Sequence, residues 1–100
     1  MLRHIVFFRL KDTPDGKTAA QNAAELKRRL EALSPLVPEI RSLEAGLDVL
    51  HGDASYDLAL TVDLDDLDAL ERYRVHPEHQ KVVQFVKEVT SARAAVDYER

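Results

Sequence analysis

At 100 residues, with 45% hydrophobic and 32% charged side chains, the chain is one domain's worth of globular rather than disordered protein. Its formal net charge of −4, with both signs interspersed, argues against nucleic acid or an anionic membrane as partner. The absence of cysteine removes disulfides, thiolate nucleophiles and zinc–thiolate sites.

LRHIVFFRLK (2–11) alternates with the two-residue period of a strand. Leu2, His4, Val6, Phe8 and Leu10 share one face and Arg3, Ile5, Phe7, Arg9 and Lys11 the other, so both faces carry large apolar groups. No apolar h-region or cleavage site precedes this strand, and no apolar run approaches the roughly 20 residues of a membrane span; the expected compartment is the cytoplasm. DTPDG (12–16) reads as a turn, and Thr18, three residues before Gln21, has the spacing of a capping box. Ala20, Ala23, Ala24, Leu26, Leu30, Leu33 and Val37 then recur at three- and four-residue steps, predicting a helix of about five turns that Pro35 and Pro38 end.

RSLEAGLDVL (41–50) predicts a second strand with Leu43, Ala45, Leu47 and Val49 inward, and Gly46 within it suggests a bulge or a close backbone approach. HGDASY (51–56) is a loop that leaves His51 at the surface, and DLALTVDL (57–64) predicts a third strand with Leu58, Leu60, Val62 and Leu64 inward. Asp65 or Asp66 is placed to cap a second helix carrying Leu67, Leu70 and Tyr73 at helical spacing. Pro77 interrupts it. With His76 as N-cap and Pro77 at the first helical position, a helix restarts, its apolar side formed by Val82, Val83, Phe85, Val86 and Val89. SARAAVDYE (91–99) alternates as a fourth strand.

The order βαββαβ is that of an α+β ferredoxin-like sandwich: an antiparallel four-stranded sheet with helices on one face, here a single domain over residues 1–100. The other face is expected to include Ile5, Phe7, Ala59, Thr61 and Ala95, too apolar to leave wet. A second copy, packed sheet against sheet through Ile5 and Phe7, would bury it, predicting a homodimer whose two sheets close into a shared α+β barrel.

HIVFFRLKD (4–12), VPEIRSLEAG (37–46) and above all YDLALTVDLDDLDALERYRVHPEHQKVVQFVKEV (56–89) resemble the stress-responsive α/β-barrel (Dabb) family, and the resemblance spans nearly the whole chain. Its most specific part is the corner YRVHPEH (73–79), an aromatic-x-x-His-Pro-x-His run. The resemblance implies the ferredoxin-like fold and the dimeric barrel. One plant member is a polyketide cyclase that performs an intramolecular aldol condensation without metal or cofactor. Its corner tyrosine and second histidine carry that reaction, which implies roles for Tyr73 and His79; its strand-one histidine corresponds to His4. The chain departs from the cyclase where bulky aromatics would line an alkyl pocket, since TAAQNAAEL (18–26) is alanine-rich. It also has Thr90 or a neighbour where the cyclase has a tryptophan.

Histidine titrates near neutrality and can take a proton from carbon beside a carbonyl, while a phenol can donate to the enolate oxygen that forms. His79 as base and Tyr73 as donor is therefore the chemical reading. Beside it stand a small-molecule pocket of unknown ligand without catalysis, and the bland alternative of Tyr73 filling core and His76 only capping a helix. The expected pocket is bordered by His4, Val6, Phe8, Tyr73, His79, Val82 and Val83, takes a small apolar or carbonyl ligand, and needs no cofactor. Three glycines are too few for a P-loop or nucleophile elbow. His76 and His79 with His4 or Asp57 offer a metal reading, but the four-residue spacing of H-E-x-x-H is absent and no metal is expected. Asp63, Asp65, Asp66 and Asp68 read as a solvated helix start. Two further readings share this barrel: an antibiotic-biosynthesis-type monooxygenase, disfavoured by the scarcity of aromatics, and a heme-binding relative.

Overall fold

The computed structural model describes all of residues 1–100. Strand β1 (Leu2–Leu10) is followed by helix α1 (Ala19–Glu31), strands β2 (Ser42–Leu47) and β3 (Leu58–Leu64), helices α2 (Leu67–Val75) and α3 (Pro77–Val89), and strand β4 (Thr90–Glu99). The strands form one antiparallel sheet in the order β2-β3-β1-β4, the ferredoxin-like α+β arrangement. No helix is long and apolar enough to cross a membrane.

Helix α1 starts where its sequence says it should. Thr18 accepts from the Gln21 amide at 3.2 Å and Gln21 accepts from the Thr18 amide at 2.9 Å, a closed capping box. It stops sooner than the apolar spacing suggests. The ring of Pro35 would collide with the carbonyl four residues back, that of Glu31, and the helix ends at Glu31 after 13 residues rather than running five turns. Leu33 and Val37 still reach the core, from the turns that follow. Ala20 and Ala24, counted in the apolar stripe, are exposed.

The core is one cluster of 19 buried residues between helices and sheet. Strand β3, in the middle of the sheet, supplies Leu58, Leu60, Val62 and Leu64; α1 supplies Leu26 and Leu30. Each such side chain contributes roughly 1.5–3 kcal/mol when fully buried. Strand β2 is shorter than predicted and ends at Leu47, so Val49 lies in a loop, 90% exposed. Gly46 marks neither a bulge nor a close approach: the β2–β3 register is continuous, and a side chain at Gly46 would meet nothing within 4 Å. Leu67, expected on the apolar side of α2, is 61% exposed at its first turn, and Ala69 is buried instead.

Register fixes both faces of the sheet. On the helix side, Leu43, Val62, His4 and Asp97 form one row across the strands, and Ala45, Leu60, Val6 and Ala95 the next. On the open side the rows are Glu44, Thr61, Ile5, Val96 and Gly46, Ala59, Phe7, Ala94. Ala95 is therefore on the helix side, not beside Ile5 and Phe7 as expected. The more apolar side of β4, with Ala94 and Val96, faces the open side and the charged side, with Arg93 and Asp97, faces the helices, an arrangement that pairing with β1 decides. No helix lies squarely over β4, whose residues are mostly exposed on both faces.

The acidic stretch also differs from the solvated helix start expected of it. Asp63 is buried on the open side, gripped by Arg3 at 2.9 and 3.2 Å and by the Ser42 hydroxyl at 2.8 Å. Asp65 pairs with Arg41, and Asp66 caps α2 by accepting from the Ala69 amide. The Arg3 hydrogen bond holds the Asp63 carboxyl down at about 2 against an ordinary 3.8. A depressed carboxyl stabilises the fold above its unfolded value and loses that contribution as pH falls through the folded one. The urea midpoint of the Asp63→Asn protein should thus lie below the parent's at pH 6, with the gap closing between about pH 4 and pH 2. A gap that does not change with pH would assign the effect to packing instead.

Candidate functional site

The site is built at the break between α2 and α3. A residue preceding proline avoids helical geometry, and His76 is extended, with φ −60° and ψ 134°. It ends α2 and caps α3, its Nδ1 accepting from the Glu78 amide at 3.1 Å, with Pro77 at the start of α3. The break leaves the Arg74 carbonyl without a helical partner. Two side chains from the first turn of α3 fill that vacancy: the Gln80 amide donates to it at 2.6 Å and His79 Nδ1 at 3.1 Å. A carbonyl can only accept, so Nδ1 carries the hydrogen and Nε2 is the basic nitrogen of neutral His79.

This docking brings His79 onto Tyr73, with ring centroids 4.3 Å apart. Tyr73 is fully buried, yet its hydroxyl has no hydrogen-bond partner. His4, entering from β1, stands edge-on to Tyr73 with centroids 6.0 Å apart. Its Nδ1 donates to Asp97 directly across the β1–β4 ladder at 2.5 Å. The three rings border a cavity of about 240 Å³. Val6, Phe8, Val82 and Val83 line it with them. The mouth lies toward β4, where Arg93, Ala95 and Asp97 border it.

Burial sets the protonation states. It raises the Tyr73 phenol well above its ordinary range, so the group stays a donor. Desolvation lowers His79, reinforced by the charges of His4, Arg74 and Arg93 and opposed by the Arg74 carbonyl. His79 is consequently neutral at pH 7, with Nε2 available as a base.

His76 and His79 turn to different partners, so their three-residue spacing does not make a ligand pair. Asp57 accepts from the Leu10 amide at 2.8 Å, and nowhere do three His, Asp or Glu side chains converge as a metal cluster would need. His51 is exposed in the β2–β3 loop with a positive φ of 56°. Pattern reading missed Asp97, Arg93 and Arg74. Asp97 acquires its role only once β4 is paired with β1: the phase that faces Ala95 toward Val6 also sets Asp97 opposite His4.

A four-stranded antiparallel sheet, helices on one face and a small cavity between them define a ferredoxin-like α+β protein with a candidate small-molecule site. The chain belongs to the stress responsive A/B barrel domain (Dabb) family, whose model matches residues 2–100. An uncharacterised protein of Streptomyces coelicolor is 33% identical over 99 residues, 99% of each chain. A dimeric ferredoxin-like protein of unknown function from Bacteroides fragilis is 34% identical, covers 99% of this chain and 95% of its own, and superposes with a TM-score of 0.85. A second dimeric protein of this fold, from Thermobifida fusca, is 29% identical with a TM-score of 0.81, over 99% of this chain and 90% of that one.

Proposed function

We propose that the protein is a homodimer whose cavity binds a small carbonyl compound and transfers a proton on it without a cofactor. The observation that carries this reading is the Tyr73 hydroxyl, buried and unpartnered beside a neutral histidine. A buried donor left unsatisfied costs about 1–3 kcal/mol, a cost that a ligand acceptor removes. A carbonyl oxygen is such an acceptor, and the enolate oxygen formed from it is a stronger one. With the carbonyl held by Tyr73, the α-hydrogen is presented to His79 Nε2, which takes the proton while the electron pair moves onto oxygen. Returning the proton, or attack of the enolate on a second carbonyl, completes an exchange or an aldol step. Asp97 holds the His4 ring in place beside Tyr73.

Incubating small ketones, from acetophenone upward in size, with the protein in D₂O and following α-carbon deuteration by NMR tests this directly. The parent should accelerate deuteration, and His79→Ala should lose about 10²-fold or more of that rate. Because desolvation lowers His79, the acid limb of the pH–rate profile should fall below 6.5. Rates equal to those of His79→Ala for every ketone would sink the catalytic reading.

The dimer is supported by the homologous structures, which are dimeric, and by the open sheet face. Phe7 stands there, 39% exposed, between Ala59 and Ala94, with Gly46 beyond Ala59. A depression of about 410 Å³ bordered by Phe7, Gly46, Tyr56 and Ala59 lies beside it. A ring next to a groove on one surface is self-complementary under a two-fold axis.

A further inference from the structure

We propose that the cavity selects carbonyl compounds that also carry a carboxylate, and that Arg93 is the anchor for that carboxylate. The inference rests on the reading of the cavity as a carbonyl site and names its substrate class.

Of the nine arginines in the chain, seven (Arg3, Arg28, Arg29, Arg41, Arg72, Arg74 and Arg100) lie within 4 Å of a carboxylate. Arg9 lies over the Tyr56 ring at 4.5 Å. Arg93 has neither an acidic nor an aromatic partner, and it is the one that borders the cavity free of both. In a chain of net charge −4, an uncompensated guanidinium at a cavity mouth is a local reversal of sign. The other charges facing the cavity do not cancel it. Asp97 is bound to His4 at the far end of the cavity, four positions along β4 from Arg93, and Arg74 adds a second cation whose carboxylate, Glu71, is not among the cavity residues.

Arg93 pairs with Phe8 across the ladder and so faces the helix side, as Ala95 and Asp97 do. Four residues of strand separate Arg93 from Asp97, about 13 Å between their Cα atoms. The mouth therefore has a cationic end, an apolar floor at Ala95 and Val6, and a hydrogen-bonding end at Tyr73 and His79. A keto acid with a short apolar spacer matches that sequence of surfaces. The planar fork of a guanidinium suits a carboxylate in particular.

The test compares 4-oxo-4-phenylbutanoate with its neutral methyl ester by calorimetric titration of the parent, Arg93→Gln and Arg93→Lys proteins. Arg93 is exposed, so both variants should fold, which their melting curves check. The parent should bind the acid at least about tenfold more tightly than the ester, with the preference shrinking as salt rises. Arg93→Gln should abolish the preference, and Arg93→Lys should keep part of it. Equal affinities for acid and ester in the parent, both weakened by Tyr73→Phe, would overturn the Arg93 assignment and leave the carbonyl reading standing. An acid preference that survives Arg93→Gln would overturn it as well. Binding of neither probe would overturn both.

Discussion

The Tyr73→Phe protein is expected to melt at or slightly above the parent's temperature while losing about 10²–10³-fold of its α-proton exchange rate. The two effects share one cause. Removing the hydroxyl leaves the ring, which is fully buried in the core, and takes away only a polar atom that has no partner. Eliminating an unsatisfied buried donor relieves its desolvation penalty, so stability does not fall. In the proposed reaction the same atom donates to the charge that develops on the carbonyl oxygen, and loss of one such donor costs about 10²–10³ in rate. A protein optimised for stability alone would carry phenylalanine here, and a stabilising substitution that removes activity is the trade expected at a functional position. The measurement is a thermal melt alongside the deuteration rate. A Tyr73→Phe protein that melts several degrees lower with its exchange rate intact would make Tyr73 a packing residue and nothing more.

The contrast with His79→Ala separates a donor from a base. His79 is half-buried and packed at a tilt against Tyr73, and it helps satisfy the Arg74 carbonyl that α2 leaves open. Its loss removes the base but also a cap, and Gln80 remains on the same carbonyl at 2.6 Å. Some loss of stability is therefore expected in His79→Ala and none in Tyr73→Phe.

How much of this was legible in the sequence follows from how local each determinant is. The βαββαβ order, the capping box at Thr18 and the restart of α3 at Pro77 depend on residues within one turn of each other, and pattern reading finds them. The corner YRVHPEH is legible for the same reason: proline forces the extended His76, and the break itself swings His79 back onto Tyr73. Helix α1 was overlong because an apolar period continues through Leu33 and Val37 whether the backbone is helix or turn, and only the clash with Pro35 sets the end. The phase of β4 was not legible, because its more apolar side, Ala92, Ala94, Val96 and Tyr98, faces the open side rather than the helices, so alternation alone does not report which face lies under them. That one ambiguity hid Asp97 behind His4 and Arg93 at the mouth, since both positions acquire meaning only once β4 is registered against β1, some 90 residues earlier in the chain.

Register also decides where a dimer would be weakest. Phe7→Asp should turn the protein into a folded monomer at micromolar concentration, measured by light scattering coupled to size-exclusion chromatography. The ring points away from the core and is 39% exposed, so the subunit loses little by the exchange. Its cross-strand neighbours on the open face are Ala59 and Ala94, with Ile5 and Val96 one row over; the nearest cation, Arg9, is held over the Tyr56 ring that packs beside Phe7. A two-fold interface contains every residue twice. At roughly 1.5–3 kcal/mol per buried ring, removing two rings weakens association by about 3–6 kcal/mol, or roughly two to four orders of magnitude in Kd. Two desolvated carboxylates add to that cost. Val96→Asp, one row over and 56% exposed, should act in the same direction. Asp97, the next residue, faces the opposite side, so Asp97→Asn should leave the dimer unchanged while disturbing His4. Separating neighbours in this way distinguishes an interface on the open face from one through the β4 edge, where substitutions at both positions would weaken association alike. A Phe7→Asp protein that remains dimeric would place the contact elsewhere.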